Sequence, residues 1–189
     1  MEKYSLWELI CSDYRKIRPS ASIYNILNAV FFSHSFKRIL IYRLEHRFIN
    51  NIILRPILYL FSRHYSTKYC VIIDPTAVIG KGFNIAHCFS IIITPGAILG
   101  DDVTILQQTT IGASRGGGRN GQPIIGNNVM IGCGAKIIGK VSVGNNVAIG
   151  ANAVVVKDVP DGCVVGGIPA TIIGTNGKEQ ADKWTLNFY

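Results

Sequence analysis

From residue 71 onward the chain counts in sixes, and no other feature narrows its possible folds as much. Aliphatic anchors stand at Ile73, Ile79, Ile85, Ile93, Leu99, Ile105, Ile111, Ile125, Ile131, Ile137, Val143, Ile149 and Val155. Seven of these thirteen are followed directly by glycine, and ten carry Ala, Val or Thr four places on, as in Ala77, Val103, Thr109, Val129 and Ala135. An aliphatic side chain at every sixth position of short strands points inward and stacks on its equivalent one coil away, about 4.8 Å along the axis. Glycine or an Asn-Asn pair at the corners tolerates positive φ. Three hexads close a triangular coil, and stacked coils form a solenoid whose ends need caps. The expected fold is therefore mainly β: a parallel β-helix over residues 71–160, an α-helical segment over 1–70, and a C-terminal cap and tail at 161–189.

The first third has a different character. Residues 1–70 hold eleven Lys/Arg against four Asp/Glu, whereas the remainder holds eight against seven, so nearly all of the net charge of +8 lies there. Apolar residues recur at helical spacing in Ile23, Ile26, Leu27, Val30 and Phe31, and again in Ile39, Leu40, Tyr42 and Leu44. Pro19, followed by Ser20 as an N-cap, separates a first short helix from a second. Residues 52–61 are apolar but short and contain Arg55 and Pro56, which suits a buried or interfacial helix rather than a membrane span. This segment reads as a helical cap packed on its own subunit or on a trimer mate, with peripheral docking on a membrane surface as the alternative.

With 48% hydrophobic and 16% charged residues in 189, the composition fits one domain plus an appendage and excludes a disordered or nucleic-acid-binding tail. Five cysteines, odd in number and without a CxxC pair or a secretory signal, read as reduced thiols in the cytoplasm, with the inner face of the membrane as a possible station.

Two hexads break the count, and breaks in a regular array are where function is expected. The hexad opening at Ile85 runs to eight residues, IAHCFSII, and the one opening at Ile111 to fourteen, IGASRGGGRNGQPI. The hexad array, followed by DVPDGCVVGGIPATIIG, resembles the hexapeptide-repeat acyltransferases, most closely serine acetyltransferases and the O-acetyltransferases of capsule and exopolysaccharide clusters. The likeness covers about residues 72–174. It implies a left-handed coil, which general rules for strand connections would not favour. It also implies acetyl-CoA as donor and a homotrimer with active sites between subunits; with one histidine in the β-helix where a zinc site would need three, no metal is expected.

In that family a histidine in the eight-residue hexad is the general base, and here that position is His87, the one histidine of the β-helix. A neutral imidazole accepts the acceptor's hydroxyl proton as its oxygen attacks the thioester carbonyl, so no acyl-enzyme is needed. Cys88, with no cation or helix N-terminus beside it in sequence, reads as a packing residue. The resemblance places the donor along Gly112, Ala113, Cys133, Gly150 and Ala151, with Lys157 and Lys136 as candidates for the nucleotide phosphates.

The chain departs from serine acetyltransferases at the acceptor. Ala86 precedes His87 where they carry an acidic residue, and Gly121-Gln122 replaces their Arg-His pair. Ile72 stands where an acid orients the family's histidine, with Asp74 as the possible substitute. An amino-acid zwitterion buried without those partners is costly. The leading expectation is therefore a sugar hydroxyl of capsular polysaccharide, exopolysaccharide or lipopolysaccharide, a carbohydrate acceptor bound by Asn84, Gln107, Gln108, Arg119 and Gln122, with Phe89 or Phe83 stacking on it. Serine O-acetylation in cysteine biosynthesis is the alternative; acylation of another small acceptor and a non-catalytic scaffold complete the range.

Overall fold

The computed structural model describes residues 4–18, 22–116 and 119–186. Four helices come first: α1 (Leu6–Ile17), α2 (Ile23–Phe32), α3 (His34–Arg47) and α4 (Leu54–Tyr69). Ser5, Ser22 and Ser33 cap the first three through their side-chain oxygens, each accepting from a backbone N–H three residues on. Ser22 is thus the cap of α2; Pro19 and the expected cap Ser20 lie outside the described residues. The stretch around 52–61 is not buried: Ile57, Leu60 and Phe61 on α4 are exposed. None of the described helices is long and apolar enough to cross a membrane.

The solenoid follows directly. Its first coil runs through β1 (Val71–Ile73), β2 (Val78–Ile79) and β3 (Asn84–Ile85); its second through β4 (Ile91–Ile93), β5 (Ile98–Leu99) and β6 (Thr104–Ile105). The third holds β7 (Thr110–Gly112), β8 (Ile124–Ile125) and β9 (Met130–Ile131), and the fourth β10 (Lys136–Ile138), β11 (Ser142–Val143) and β12 (Ala148–Ile149). A fifth opens with β13 (Val154–Val155) and returns as β14 (Val164–Gly167), which turns back antiparallel into β15 (Ala170–Gly174) ahead of helix α5 (Gly177–Leu186). The coils stack into three parallel faces. Face A is β1-β4-β7-β10-β13, face B is β2-β5-β8-β11, and face C is β3-β6-β9-β12-β14 with β15 at its edge.

All thirteen anchors are buried, and so are Ala77, Phe83, Ala97, Val103, Thr109, Val129, Ala135, Val141, Val147, Ala153 and Val159 four places further on, so both sets line one continuous core. At the corner between faces B and C, Asn128 and Asn146 sit at φ 52° and 56° and stack through a 3.0 Å side-chain hydrogen bond.

One end of such a solenoid has a problem that the helices solve. Each coil donates its backbone N–H groups to the carbonyls of the next, as in Asp74 to Ile93 and Ala86 to Ile105. Most strand carbonyls of the first coil therefore lack coil partners, and buried carbonyls left unpaired are costly. Helix α3 supplies side-chain donors instead. Arg38 Nη2 donates to the Ile73 carbonyl, Tyr42 Oη to Ala77, and Arg43 to Ile79 and Gly80, while a ring nitrogen of His46 lies 2.8 Å from the Pro75 carbonyl. Asp13 of α1 accepts two hydrogen bonds from Arg43, at 2.8 and 3.0 Å, and another from the Phe83 amide.

Candidate functional site

Face C hands over to face A at one edge of the prism, and the eight-residue hexad bulges there. Strand register aligns Ile85, Ile105, Ile131 and Ile149, so the residues two places beyond them, His87, Gln107, Cys133 and Ala151, form one column along that edge. At about 4.8 Å per coil the column is about 14 Å long. His87 is exposed rather than turned into the core.

His87 opens into a cavity of about 790 Å³ between the first coil and the helical cap. Ala86 and Cys88 flank it; Arg18 from the end of α1, Asn25 and Asn28 from α2, Ser33 and His34 at the start of α3, and Tyr69 from α4 face it across the cavity. No Asp or Glu lines the space among the described residues. Burial pushes the Cys88 thiol up to about 11, with Arg38 pulling weakly the other way, so a thiolate nucleophile is disfavoured.

Further along the same face, Cys133, Gly150 and Ala151 line a narrow apolar groove of about 220 Å³ with Leu106, Met130 and Gly132. Asn176, just before helix α5, and Gln180 on it close the far side, and Ala181 packs against Leu106 and Met130. A Cβ on Gly132 would lie 2.7 Å from the Ala151 nitrogen, so glycine keeps the coils in contact there. The groove's small side chains and exposed backbone suit a slender acyl-carrying arm. The role of α5 was hidden in the sequence, because ten residues without a strong apolar period do not declare a helix.

The remaining residues singled out in the sequence are not gathered at His87. Gly112, Ala113, Arg119, Gln122 and Lys157 sit at the edge between faces A and B, across the width of face A from His87. A three-residue strand spans about 10 Å. Arg119 is committed to Asp158 at 2.9 Å, and its carbonyl accepts from the Lys140 amide. Asn84 is 1% exposed and lies under the helical cap, so it cannot touch an acceptor; its amide finds no hydrogen-bond partner. Phe83 is wholly in the core, which leaves only Phe89 exposed for stacking. The Lys136 ammonium donates to the Gln108 and Gly134 carbonyls, holding a corner rather than awaiting a phosphate. Asp74 accepts from the Thr76 amide and hydroxyl at the opposite end of β1, and does not serve His87 in the place of Ile72. Gln107 remains beside His87 on the column, partly buried, and Gln108 follows it at φ 61° on the exposed corner.

Comparison with known proteins adds the family. Residues 122–157 match the model of the bacterial transferase hexapeptide, six repeats. A serine acetyltransferase of Buchnera aphidicola is 38% identical over 133 residues, which cover 70% of this chain and 51% of that protein. The chain spans about half the length of the relatives it matches in this way. The Neisseria gonorrhoeae serine acetyltransferase superposes with a TM-score of 0.77 at 31% identity, over 94% of this chain and 70% of the other, and it has also been solved in complex with serine. A serine acetyltransferase in complex with CoA matches at 30% identity and a TM-score of 0.73, over 89% of this chain and 70% of that one.

These findings overturn the expectation of a sugar acceptor in polysaccharide assembly, and with it the capsule and exopolysaccharide branch. The physical reason is visible in the fold. The case against serine weighed Ala86 and Gly121-Gln122 alone; within one subunit Gly121-Gln122 lie on a different edge from His87, and most of the wall facing the histidine comes from the helical cap, which that case left out. By fold, register and sequence the chain belongs to the hexapeptide-repeat transferases, in the serine acetyltransferase family.

Proposed function

We propose that the chain is an acetyl-CoA-dependent serine O-acetyltransferase, with His87 as general base and the active sites shared between the subunits of a homotrimer. The observation that carries the reading is the column: an exposed histidine opening into a cavity, on the same edge as a groove lined by Cys133, Gly150 and Ala151. The match to serine acetyltransferases solved with serine and with CoA supports it.

The chemistry needs no covalent intermediate. The serine hydroxyl loses its proton to the His87 imidazole as its oxygen bonds to the thioester carbonyl carbon. The tetrahedral adduct then expels coenzyme A as thiolate, and the imidazolium returns the proton to sulfur. The products are O-acetylserine and the free thiol, and the base ends as it began.

The test is acetyl transfer from acetyl-CoA to L-serine by the purified protein, followed through release of the thiol. His87→Ala lowers kcat by about 10² to 10⁴ while the circular dichroism and melting temperature stay those of the wild type. Undiminished turnover in that variant removes His87 from the mechanism, and inertness toward serine removes the acceptor.

A further inference from the structure

The cavity at His87 has an unbalanced charge, and that imbalance bears on which part of an acceptor it holds. Arg18 stands at the C-cap of α1, where the chain leaves the helix in an extended conformation, and it lines the cavity together with His87. Among the described residues it makes no ion pair, in contrast to Lys16, Arg38, Arg43, Arg119 and Lys183, each of which has a carboxylate partner. The other polar groups of the wall are neutral amides and hydroxyls, Asn25, Asn28, Ser33, Ser35, Tyr14 and Tyr69, beside the imidazole of His34 and the thiol of Cys88. Ala86 stands beside His87 in place of an acid.

A site built this way has a full charge to offer an anion and only dipoles to offer a cation. A guanidinium holds a carboxylate through charge-assisted, often paired hydrogen bonds, and these are the strong ones. An ammonium in the same cavity meets amide and hydroxyl oxygens, in a field that is positive on balance. Resting on the serine reading, we propose that Arg18 is the residue that recognises the acceptor's carboxylate, and that the acceptor class is a β-hydroxy carboxylate in which the amino group is dispensable. Arg18 is then a specificity-determining residue supplied by the helical cap, taking over a task that the β-helix loop does not perform at this edge.

Three acceptors separate the possibilities: L-serine, 3-hydroxypropionate, which lacks the ammonium, and ethanolamine, which lacks the carboxylate. In the wild type, 3-hydroxypropionate keeps kcat/KM within about threefold of serine, and ethanolamine falls below it by about tenfold or more. Arg18→Gln raises KM for serine and for 3-hydroxypropionate by about tenfold or more with kcat held, the signature of lost uniform binding, and leaves ethanolamine unchanged. Arg18→Lys, which keeps the charge but loses the planar fork, falls between the two. Arg18 is exposed at a helix end, so the variants fold, and an unaltered melting temperature verifies it. Ethanolamine matching serine in the wild type, or an unmoved serine KM in Arg18→Gln, overturns the assignment while leaving the acetyltransferase reading intact. Turnover of none of the three acceptors brings down the serine reading, and this inference with it.

Discussion

Cys88 and His87 are neighbours in sequence with opposite fates. The imidazole is exposed in the cavity, whereas the thiol is half-buried against the solenoid core. Because burial raises the folded thiol to about 11 from an ordinary value of 9.0, the unfolded chain releases that proton first as pH climbs. The contribution of Cys88 to stability is thus fully present below pH 9 and is lost as pH rises through 11. Two outcomes are expected: iodoacetamide modifies Cys88 more slowly at pH 7.5 than it does a free thiol, and denaturation midpoints fall between pH 9 and 11 less in Cys88→Ser than in the wild type. Labelling followed by peptide mass analysis, and urea titrations at both pH values, check them. Prompt labelling at neutral pH contradicts the burial argument.

How legible the residues were depends on whether their partners have a sequence signature. His87 was legible because a strict six-residue count makes an eight-residue interruption visible. The roles of Arg38 and Arg43 were not, since basic residues on a helix ordinarily read as a solvated face, and the groups they serve are main-chain carbonyls of Ile73, Ile79 and Gly80, which no side-chain pattern announces. Arg119 misled for a related reason. Sequence distance places its loop within two coils of His87, but a triangular prism turns that step into a different edge.

At the scale of elements, α3 does more than cover an apolar end. Arg43 is 3% exposed and Asp13 is fully buried; together they tie α1, α3 and the corner after β2 into one hydrogen-bonded unit. Replacing Arg43 with Met preserves volume but leaves the Asp13 carboxylate without its cation and two carbonyls without a donor. Breaking one side of a buried pair costs about 3–5 kcal/mol, so Arg43→Met loses stability on that scale in urea denaturation. Tyr42→Phe removes a single 2.8 Å hydrogen bond to the Ala77 carbonyl, and one such bond contributes about 1 kcal/mol. Equal losses in the two variants would mean that the ion pair and the four hydrogen bonds of Arg43 together contribute no more than the single bond of Tyr42. Helices α2 and α3 were readable from their three-and-four spacing and the strands from the hexads, whereas α5 had no such period to show. What the periods omit is the joint between helix and coil, because a joint is made by polar contacts that recur only once.

At the scale of the molecule, one prism sets the residues singled out for the site on two edges that it does not join. The His87 column runs along the edge between faces C and A, while Gly112, Ala113, Gln122 and Lys157 stand at the edge between faces A and B. The outward surfaces of faces A and B are apolar in register. Val78, Ile98 and Ile124 form a ladder on face B, 41 to 50% exposed, and Ile72 with Ile92 forms another on face A. Ladders of that kind mark a surface meant to be covered. A head-to-tail ring packs one subunit's ladder on a different face of the next, and it closes when the rotation does. Three prisms arranged so bury both ladders and carry the loop edge of one subunit toward the His87 edge of its neighbour, which is the arrangement the proposed trimer requires. Ile98→Asp places a charge in the middle of the face B ladder without disturbing the core, since its side chain points outward. The expected result is a wild-type particle three times the 20.7 kDa chain in sedimentation equilibrium, an Ile98→Asp protein that sediments as the single chain with an unchanged far-ultraviolet spectrum, and acetyl transfer that falls with it. A monomeric variant that still turns over at the wild-type rate would show that the His87 edge is complete within one subunit.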